Sequence, residues 1–370
     1  MKKILHIIGG MDRAGAETFL RNILLNMPRG KYEFGILTFL EPQNGEKYAY
    51  QEELEKIGVK FYHIKDTRFT HPLRFREQIA KVVREKHYKI IHSHNDFMSA
   101  LLLNAAKKGG AKTLISHAHS TSNARVNSPL KRFWEFILIK KLRKVAHIKL
   151  ACGEAAGEFL YGKKKDFTII PNGINLSTFA FNTDARATYR TAHKIGENTI
   201  VLLNIGRLEA VKNQSFLIDV FEKIASKNPD SALFIVGNGS LKSALKQKIK
   251  SSSHADKIFL KDAQPNTSEL YSMADYFLLP SLFEGLPMVS VEAQASGLPC
   301  FFSKNVSKEA NIQKKAVFLP IENPEKWAMA VLSTKKQDLK SRKNAWRSDN
   351  ISLFDISKSA EKLERIYDAI

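Results

Sequence analysis

Along this chain, short apolar runs alternate with longer segments of helical spacing. The first set of runs is Ile4 to Ile8, Phe34 to Phe39, Lys60 to Ile64, Lys89 to His92 and Thr113 to Ser116. Runs of this length, rich in β-branched residues and separated by helices, predict strands of a parallel sheet with helices on both faces. Two further runs, Ile148 to Ala151 and Phe167 to Ile170, lead into Pro171-Asn172-Gly173, a turn signal that marks a boundary. The alternation then restarts with Thr199 to Ile205, Ala232 to Val236, Lys257 to Leu260, Tyr276 to Leu279 and Pro299 to Phe302. The pattern therefore predicts an α/β protein of two doubly wound domains, residues 1–180 and 181–350. At the end of the chain, Ile356, Ala360, Leu363, Ile366 and Ile370 lie three or four apart, the spacing of an amphipathic helix within 351–370. Periodicity alone does not say which domain that helix joins.

Composition agrees with this plan and adds a constraint on partners. A chain of 370 residues is long enough for two cores, and 44% hydrophobic with 26% charged residues excludes a disordered chain. Only Cys152 and Cys300 are present, which excludes a disulfide framework and a thiolate metal site and fits a reducing cytoplasm. Met1-Lys2-Lys3 before Ile4 to Ile8 reads as the start of a strand, since its apolar run is too short for a signal peptide. No stretch of about 18 apolar residues predicts a membrane-spanning helix.

The formal net charge of +21 favours anionic partners: nucleic acid, anionic lipid or sugar phosphates. Nucleic acid is set aside, because no recognition motif is present and the aromatics do not interleave with the basic residues. Anionic lipid has a candidate segment. Leu130, Phe133, Trp134, Ile137, Leu138, Leu142 and Val145 share one helical face beside Lys131, Arg132, Lys140, Lys141, Arg143 and Lys144. A basic amphipathic helix of this kind suits a peripheral position on an anionic membrane surface, although a helix packed on a sheet shows the same spacing.

In open parallel sheets ligands bind beyond the carboxyl ends of the strands, so the residues that follow each strand are the candidates for chemistry. After the first strand come Gly9-Gly10 and then Gly15-Ala16-Glu17 opening a helix, a turn that lets backbone approach an anion but lacks the G-x-G-x-x-G spacing of dinucleotide sites. His92-Ser93-His94-Asn95 and Ser116-His117-Ala118-His119 each place two imidazoles at a strand end. Neither pair has a carboxylate or cysteine at a familiar ligand spacing, so no metal is expected, and hydrogen bonding to a sugar hydroxyl or a structural role remains open for them. After Thr199 to Ile205 comes Gly206-Arg207-Leu208-Glu209-Ala210-Val211-Lys212-Asn213, where a guanidinium and an ammonium can serve one diphosphate. After Tyr276 to Pro280 comes Glu284-Gly285-Leu286-Pro287, then a helix carrying Glu292. The amides of Gly285 and Leu286 can meet a phosphate, and the two carboxylates fall in different surroundings.

These residues give the chain a resemblance to the retaining GT-B glycosyltransferases of the "glycosyl transferases group 1" type, above all bacterial enzymes of capsular, exopolysaccharide and lipopolysaccharide assembly. The resemblance rests on Gly9-Gly10 with Gly15-Ala16-Glu17, Pro171-Asn172-Gly173-Ile174, Gly206-Arg207-Leu208 with Lys212-Asn213, Ala274-Asp275 and Pro280-Ser281. Its hallmark is the E-x7-E pattern, matched by Glu284 and Glu292 and followed by Ala293-Gln-Ala-Ser-Gly-Leu-Pro299. It implies two Rossmann-like domains facing across a cleft, with a nucleotide-sugar donor in the C-terminal domain, an acceptor in the N-terminal one, and no required cofactor or metal. It also implies that Arg207 and Lys212 neutralise the donor diphosphate, with Gly206, Gly285, Leu286, Gly10 and Gly15 lining the phosphates. Glu284 would contact the transferred sugar and Glu292 the ribose. The family's sugar-contacting histidine maps to His117 or His119, with His117 preferred. The final helix would cross back to the N-terminal domain. A UDP-sugar is expected ahead of a GDP-sugar, with a glycan or lipid-linked acceptor. A GT-B epimerase acting on the nucleotide sugar is the nearer alternative, and a basic nucleic-acid scaffold the remoter one.

Overall fold

A computed structural model describes the chain apart from residues 13, 43–44, 121–127, 165 and 265 and the side chain of residue 131. The chain divides into two compact units, Met1–Gly173 together with Ile356–Ile370, and Ile174–Asp355.

The first unit is built on seven strands: β1 (Lys2–Ile7), β2 (Tyr32–Thr38), β3 (Lys60–His63), β4 (Ile90–Ser93), β5 (Thr113–Ala118), β6 (Ile148–Ala151) and β7 (Thr168–Ile169). They are all parallel in the order β3-β2-β1-β4-β5-β6-β7. Because successive strand residues point to opposite faces, β1 sends Leu5 and Ile7 into one core and Ile4, with Ile8 beyond it, into the other. Helix Gly15–Asn26 covers the second of these faces with Phe19, Leu20, Ile23 and Leu24, all buried.

The last helix, Ile356–Asp368, joins the same face through Ile356, Ala360, Leu363 and Tyr367. It is tied by Ser359 Oγ donating to the Pro171 carbonyl at 2.9 Å and by Lys2 Nζ donating to the Tyr367 carbonyl at 2.9 Å.

The second unit has six parallel strands, β8 (Ile200–Ile205), β9 (Ser231–Val236), β10 (Ile258–Lys261), β11 (Tyr276–Leu279), β12 (Cys300–Ser303) and β13 (Val317–Leu319), in the order β10-β9-β8-β11-β12-β13. β8 divides its side chains between two cores, Val201, Leu203 and Ile205 on one face and Leu202 on the other. In each sheet the strand order reverses at one place, between β1 and β4 and between β8 and β11, and at such a switch point the connections leave in opposite directions and open a crevice.

The structure differs from the sequence expectation in two details. The unit changes at Gly173/Ile174 and not at 180/181, because Ile174 and Leu176 pack with Val291 and Ala295 of the second unit. β13 was not expected, being an edge strand of three residues.

Candidate active site

The residues expected to hold a donor come together at the switch point of the second sheet. β8 ends at Ile205, and the chain turns out through Gly206 and Arg207 before re-entering helix Gln214–Lys227. Asn213 makes that re-entry possible with a left-handed backbone, φ 54°, a conformation asparagine tolerates better than most residues. The side chains around it fasten the turn: Gln214 Nε2 donates to the Arg207 carbonyl at 3.0 Å, and Asn213 Nδ2 donates to the Pro280 carbonyl at 3.2 Å. The amide of Leu282 donates to Val211 at 2.8 Å, so the loops that follow β8 and β11 are stitched to each other.

Within this frame Lys212 Nζ forms an ion pair with the Glu284 carboxylate, both side chains about 15% exposed. Ser281 Oγ donates to the same carboxylate at 3.1 Å. The Glu284 backbone is held as well, since its carbonyl accepts from the Ser307 amide at 2.9 Å. A would-be Cβ on Gly206 meets the Lys212 stem at 3.5 Å, which is ordinary contact. Arg207 is exposed, and its guanidinium has no hydrogen-bond partner among the described residues. One cation is therefore held in a pair and the other is free to take an anion.

Glu284 lies in a loop, and helix Met288–Ala295 begins four residues later behind an N-cap proline, Pro287, with no side-chain cap. Among the described residues the amides of Gly285 and Leu286 donate to nothing, so this end of the helix offers unpaired donors together with the positive end of the dipole. Glu292 sits one turn inside the helix and accepts from Tyr271 Oη at 2.6 Å. Burial raises its carboxyl to about 7, a shift that the Tyr271 hydrogen bond partly offsets.

Two contributors escaped the sequence reading. Tyr271 lies 21 residues before its partner, on helix Ser268–Met273, and nothing in the E-x7-E spacing points to it. Gly237 and Gly239 follow β9. A Cβ at Gly237 would lie 1.9 Å from the Gly206 carbonyl oxygen, and one at Gly239 would lie 2.4 Å from the Leu208 carbonyl oxygen. Only glycine lets these two strand-end loops approach, and the Gly-Asn-Gly signal directly after a strand is where they could have been found. Asp275, by contrast, is structural: buried at 5% exposure, it accepts from the Val201 amide at 2.9 Å and pairs with Arg186 at 2.7 Å.

In the first unit Gly10 and Gly15 also sit beyond β1. A Cβ on Gly10 would lie 3.1 Å from the Tyr48 ring, whereas one on Gly15 would meet nothing within 4 Å among the described residues. Helix Gly15–Asn26 starts without a side-chain cap, and burial raises the Glu17 carboxyl in its first turn.

The histidines behave differently from the expectation. Strand alternation puts His6, His92, His94, His117 and His119 on one face, beneath Phe19 and Tyr367. His117 is fully buried, edge-on to Phe19 at 5.0 Å and stacked on His119 at 4.3 Å, and neither ring nitrogen has a partner among the described residues. His119 is the partly exposed member of the pair, so the open edge lies at His119 and not at the preferred His117. Burial holds all five imidazoles uncharged, with His6 and His119 lowered to about 3.

Helix Pro129–Val145 is split along its length. Leu138, Ile139, Leu142 and Val145 are buried in the first unit's core, while Leu130, Phe133, Trp134 and Phe136 are 54–66% exposed. Arg132, Lys140, Lys141, Arg143 and Lys144 are exposed beside them; the side chain of Lys131 lies outside the described residues. No helix among the described residues is long and apolar enough to cross a membrane.

Comparison with known proteins bears on this geometry. A family model described as "Glycosyl transferases group 1" matches residues 185–348, and one described as "Glycosyltransferase Family 4" matches residues 13–178. The chain is 29% identical over 315 residues to the putative glycosyltransferase EpsF of Bacillus subtilis, covering 84% of this chain and 81% of that one. It is 25% identical over 378 residues to the capsular polysaccharide biosynthesis glycosyltransferase CapH of Staphylococcus aureus, covering 99% of both. The structure of Anabaena HepE in complex with UDP-glucose superposes with a TM-score of 0.77 at 17% identity over the whole of both chains, a likeness of fold.

Proposed function

The chain belongs to the group 1 glycosyl transferases, with two parallel-sheet Rossmann-like domains of the GT-B fold, and we propose that it moves a hexose from a UDP-sugar, with retention, to a glycan or lipid-linked acceptor in cell-surface polysaccharide synthesis. The observation that carries this reading is the contact between Lys212 and Glu284. In a glycosyl diphosphate the sugar and the first phosphate share one oxygen. A carboxylate that takes sugar hydroxyls and an ammonium that takes phosphate oxygens must therefore be neighbours. Arg207 supplies the second cation, and the amides of Gly285 and Leu286 supply neutral donors. Glu292, with Tyr271 behind it, receives the ribose hydroxyls.

Charge then moves in a simple way. Breakage of the glycosidic bond puts negative charge on the departing diphosphate, where Arg207, Lys212 and the helix start are already placed. A site of this kind stabilises the leaving group without a metal. Retention follows if the acceptor attacks from the leaving-group side and passes its proton to the departing phosphate. Glu284 and Glu292 serve different parts of the donor, so a double displacement between paired carboxylates is not called for.

The choice of UDP is supported by the HepE complex, and polysaccharide synthesis by CapH. The exposed first turns of helix Pro129–Val145, apolar and flanked by cations, suit an anionic membrane surface carrying a lipid-linked acceptor. Thermal-shift measurement with UDP-glucose, UDP-galactose and GDP-mannose tests the donor, since a ligand that binds only the folded state raises its melting temperature. A UDP-sugar is expected to stabilise the protein. Stabilisation by GDP-mannose alone contradicts the assignment.

A further inference from the structure

We propose that His6, His92 and His94 form a binding site for one divalent transition ion of the zinc class inside the first unit. His92 and His94 are two residues apart at the end of β4 and so stand on the same face of the sheet. His6 is the register neighbour of His92 on β1. An i, i+2 pair on one strand and a third imidazole from the next strand converge on a point, and here one nitrogen from each lies within 4.8 Å of the others. The set is invisible to spacing along the chain, because His6 lies 88 residues from His94.

The surroundings orient the nitrogens as an ion needs. His92 Nδ1 lies 2.7 Å from Tyr367 Oη, and in the tautomer in which Nδ1 donates to that hydroxyl Nε2 is left as a lone pair. That Nε2 is buried and has no partner among the described residues. His94 Nδ1 lies 2.9 Å from His119 Nε2, and its other nitrogen, Nε2, lies 3.0 Å from His6 Nδ1.

Two nitrogens bound to a tetrahedral ion are roughly 3.3 Å apart when each bond is about 2.0 Å. The His6–His94 pair therefore needs to open by only a few tenths of an ångström. With the shared proton on His6, it moves from Nδ1 to Nε2, which is buried and unpartnered among the described residues, so no net proton is released. A neutral water completes the coordination. Imidazoles without a carboxylate favour zinc, nickel or copper over magnesium and calcium. The ion links β1 to β4 and, through His92 and Tyr367, to the last helix.

The test uses the full chain, stripped with a chelator, equilibrated with zinc chloride and desalted, with metal content read by elemental analysis. One equivalent is expected in the wild type, together with a rise in melting temperature on adding zinc. His6→Gln and His94→Gln are expected to lose the ion. His63→Gln, at an exposed histidine outside the cluster, should keep it, and so should His117→Gln, which disrupts the overlapping trio His94, His117 and His119. Folding of each variant is checked by circular dichroism. If His6→Gln fails to fold, cobalt(II) in the wild type decides, through the visible spectrum of a tetrahedral nitrogen site. A folded wild type that retains no ion, a folded His6→Gln that retains it, or a cobalt spectrum without tetrahedral character overturns the proposal, as does loss of the ion in His117→Gln with retention in His6→Gln.

Discussion

Lys212 and Glu284, 72 residues apart in sequence, meet as an ion pair at the point where the β8 and β11 loops are stitched together. Arg207, in the same β8 loop, has no such partner among the described residues. Both cations are assigned to the donor diphosphate, yet they start from different states, and their substitutions should differ accordingly. Arg207→Ala removes a charged hydrogen-bonding partner of the ligand and nothing else, so UDP affinity should fall by roughly tenfold to a hundredfold. Lys212→Ala should weaken UDP by a similar factor and also release Glu284 from its half-buried pair, lowering the melting temperature. Calorimetric titration of UDP into both folded variants checks this, and unchanged affinity removes the residue from the site.

A pH dependence follows from Glu292. Its carboxyl is raised by burial to about 7, so it is largely protonated at pH 6 and largely ionised at pH 8. The ionised form is the better acceptor for ribose hydroxyls, and UDP affinity should therefore rise between pH 6 and pH 8. The UDP phosphate titrates in the same range, so the comparison that isolates the protein group is with Glu292→Gln, whose affinity should be lower at pH 8 and rise less. Identical profiles for the two proteins contradict the ribose assignment.

The buried histidines make the first unit sensitive to acid. Their folded pKa values are depressed, so below the unfolded value of about 6.5 the unfolded chain binds more protons, and stability is lost as pH falls. With His6 and His119 lowered to about 3, each contributes about 2 kcal/mol of destabilisation at pH 5. The melting temperature, measured with chelator present, should drop steeply from pH 7 to pH 5. A flat profile would mean that the imidazoles are not buried as described.

What could be read in advance depended on whether the signal was local. The alternation of apolar runs gave nearly all the strands, because a strand buried on both faces must be apolar throughout. The loop residues at the β8 and β11 ends were legible for the same reason, as they follow directly on such runs. Tyr271 was not, since its contact with Glu292 exists only once two helices pack. The five histidines were half legible: the His-x-His spacing already put each pair on one face, but not that His6 lies beside them. Helix Pro129–Val145 shows how one periodicity can hide two fates, with the last turns packed and the first turns exposed.

Those exposed turns carry the membrane expectation. The full chain should co-sediment with vesicles containing phosphatidylglycerol and much less with phosphatidylcholine alone, and Phe133→Ser with Trp134→Ser should lower binding while UDP affinity stays unchanged. Equal binding to both vesicle types, or none to either, counts against a membrane-facing role.

The measurement that bears most directly on the proposed transfer is turnover by Glu284→Gln. With the UDP-hexose that most stabilises the protein as donor, and a bacterial membrane lipid extract as acceptor, UDP release is followed at saturating donor for the wild type and the folded variant. Glu284 should touch the sugar and act most strongly as the glycosidic bond breaks, so kcat should fall by about a hundredfold or more. Its assignment to the sugar and not to the nucleotide predicts that UDP affinity does not fall, since Lys212, released from its pair, still meets the diphosphate. Full turnover in the variant, or a loss confined to UDP binding, would contradict that account.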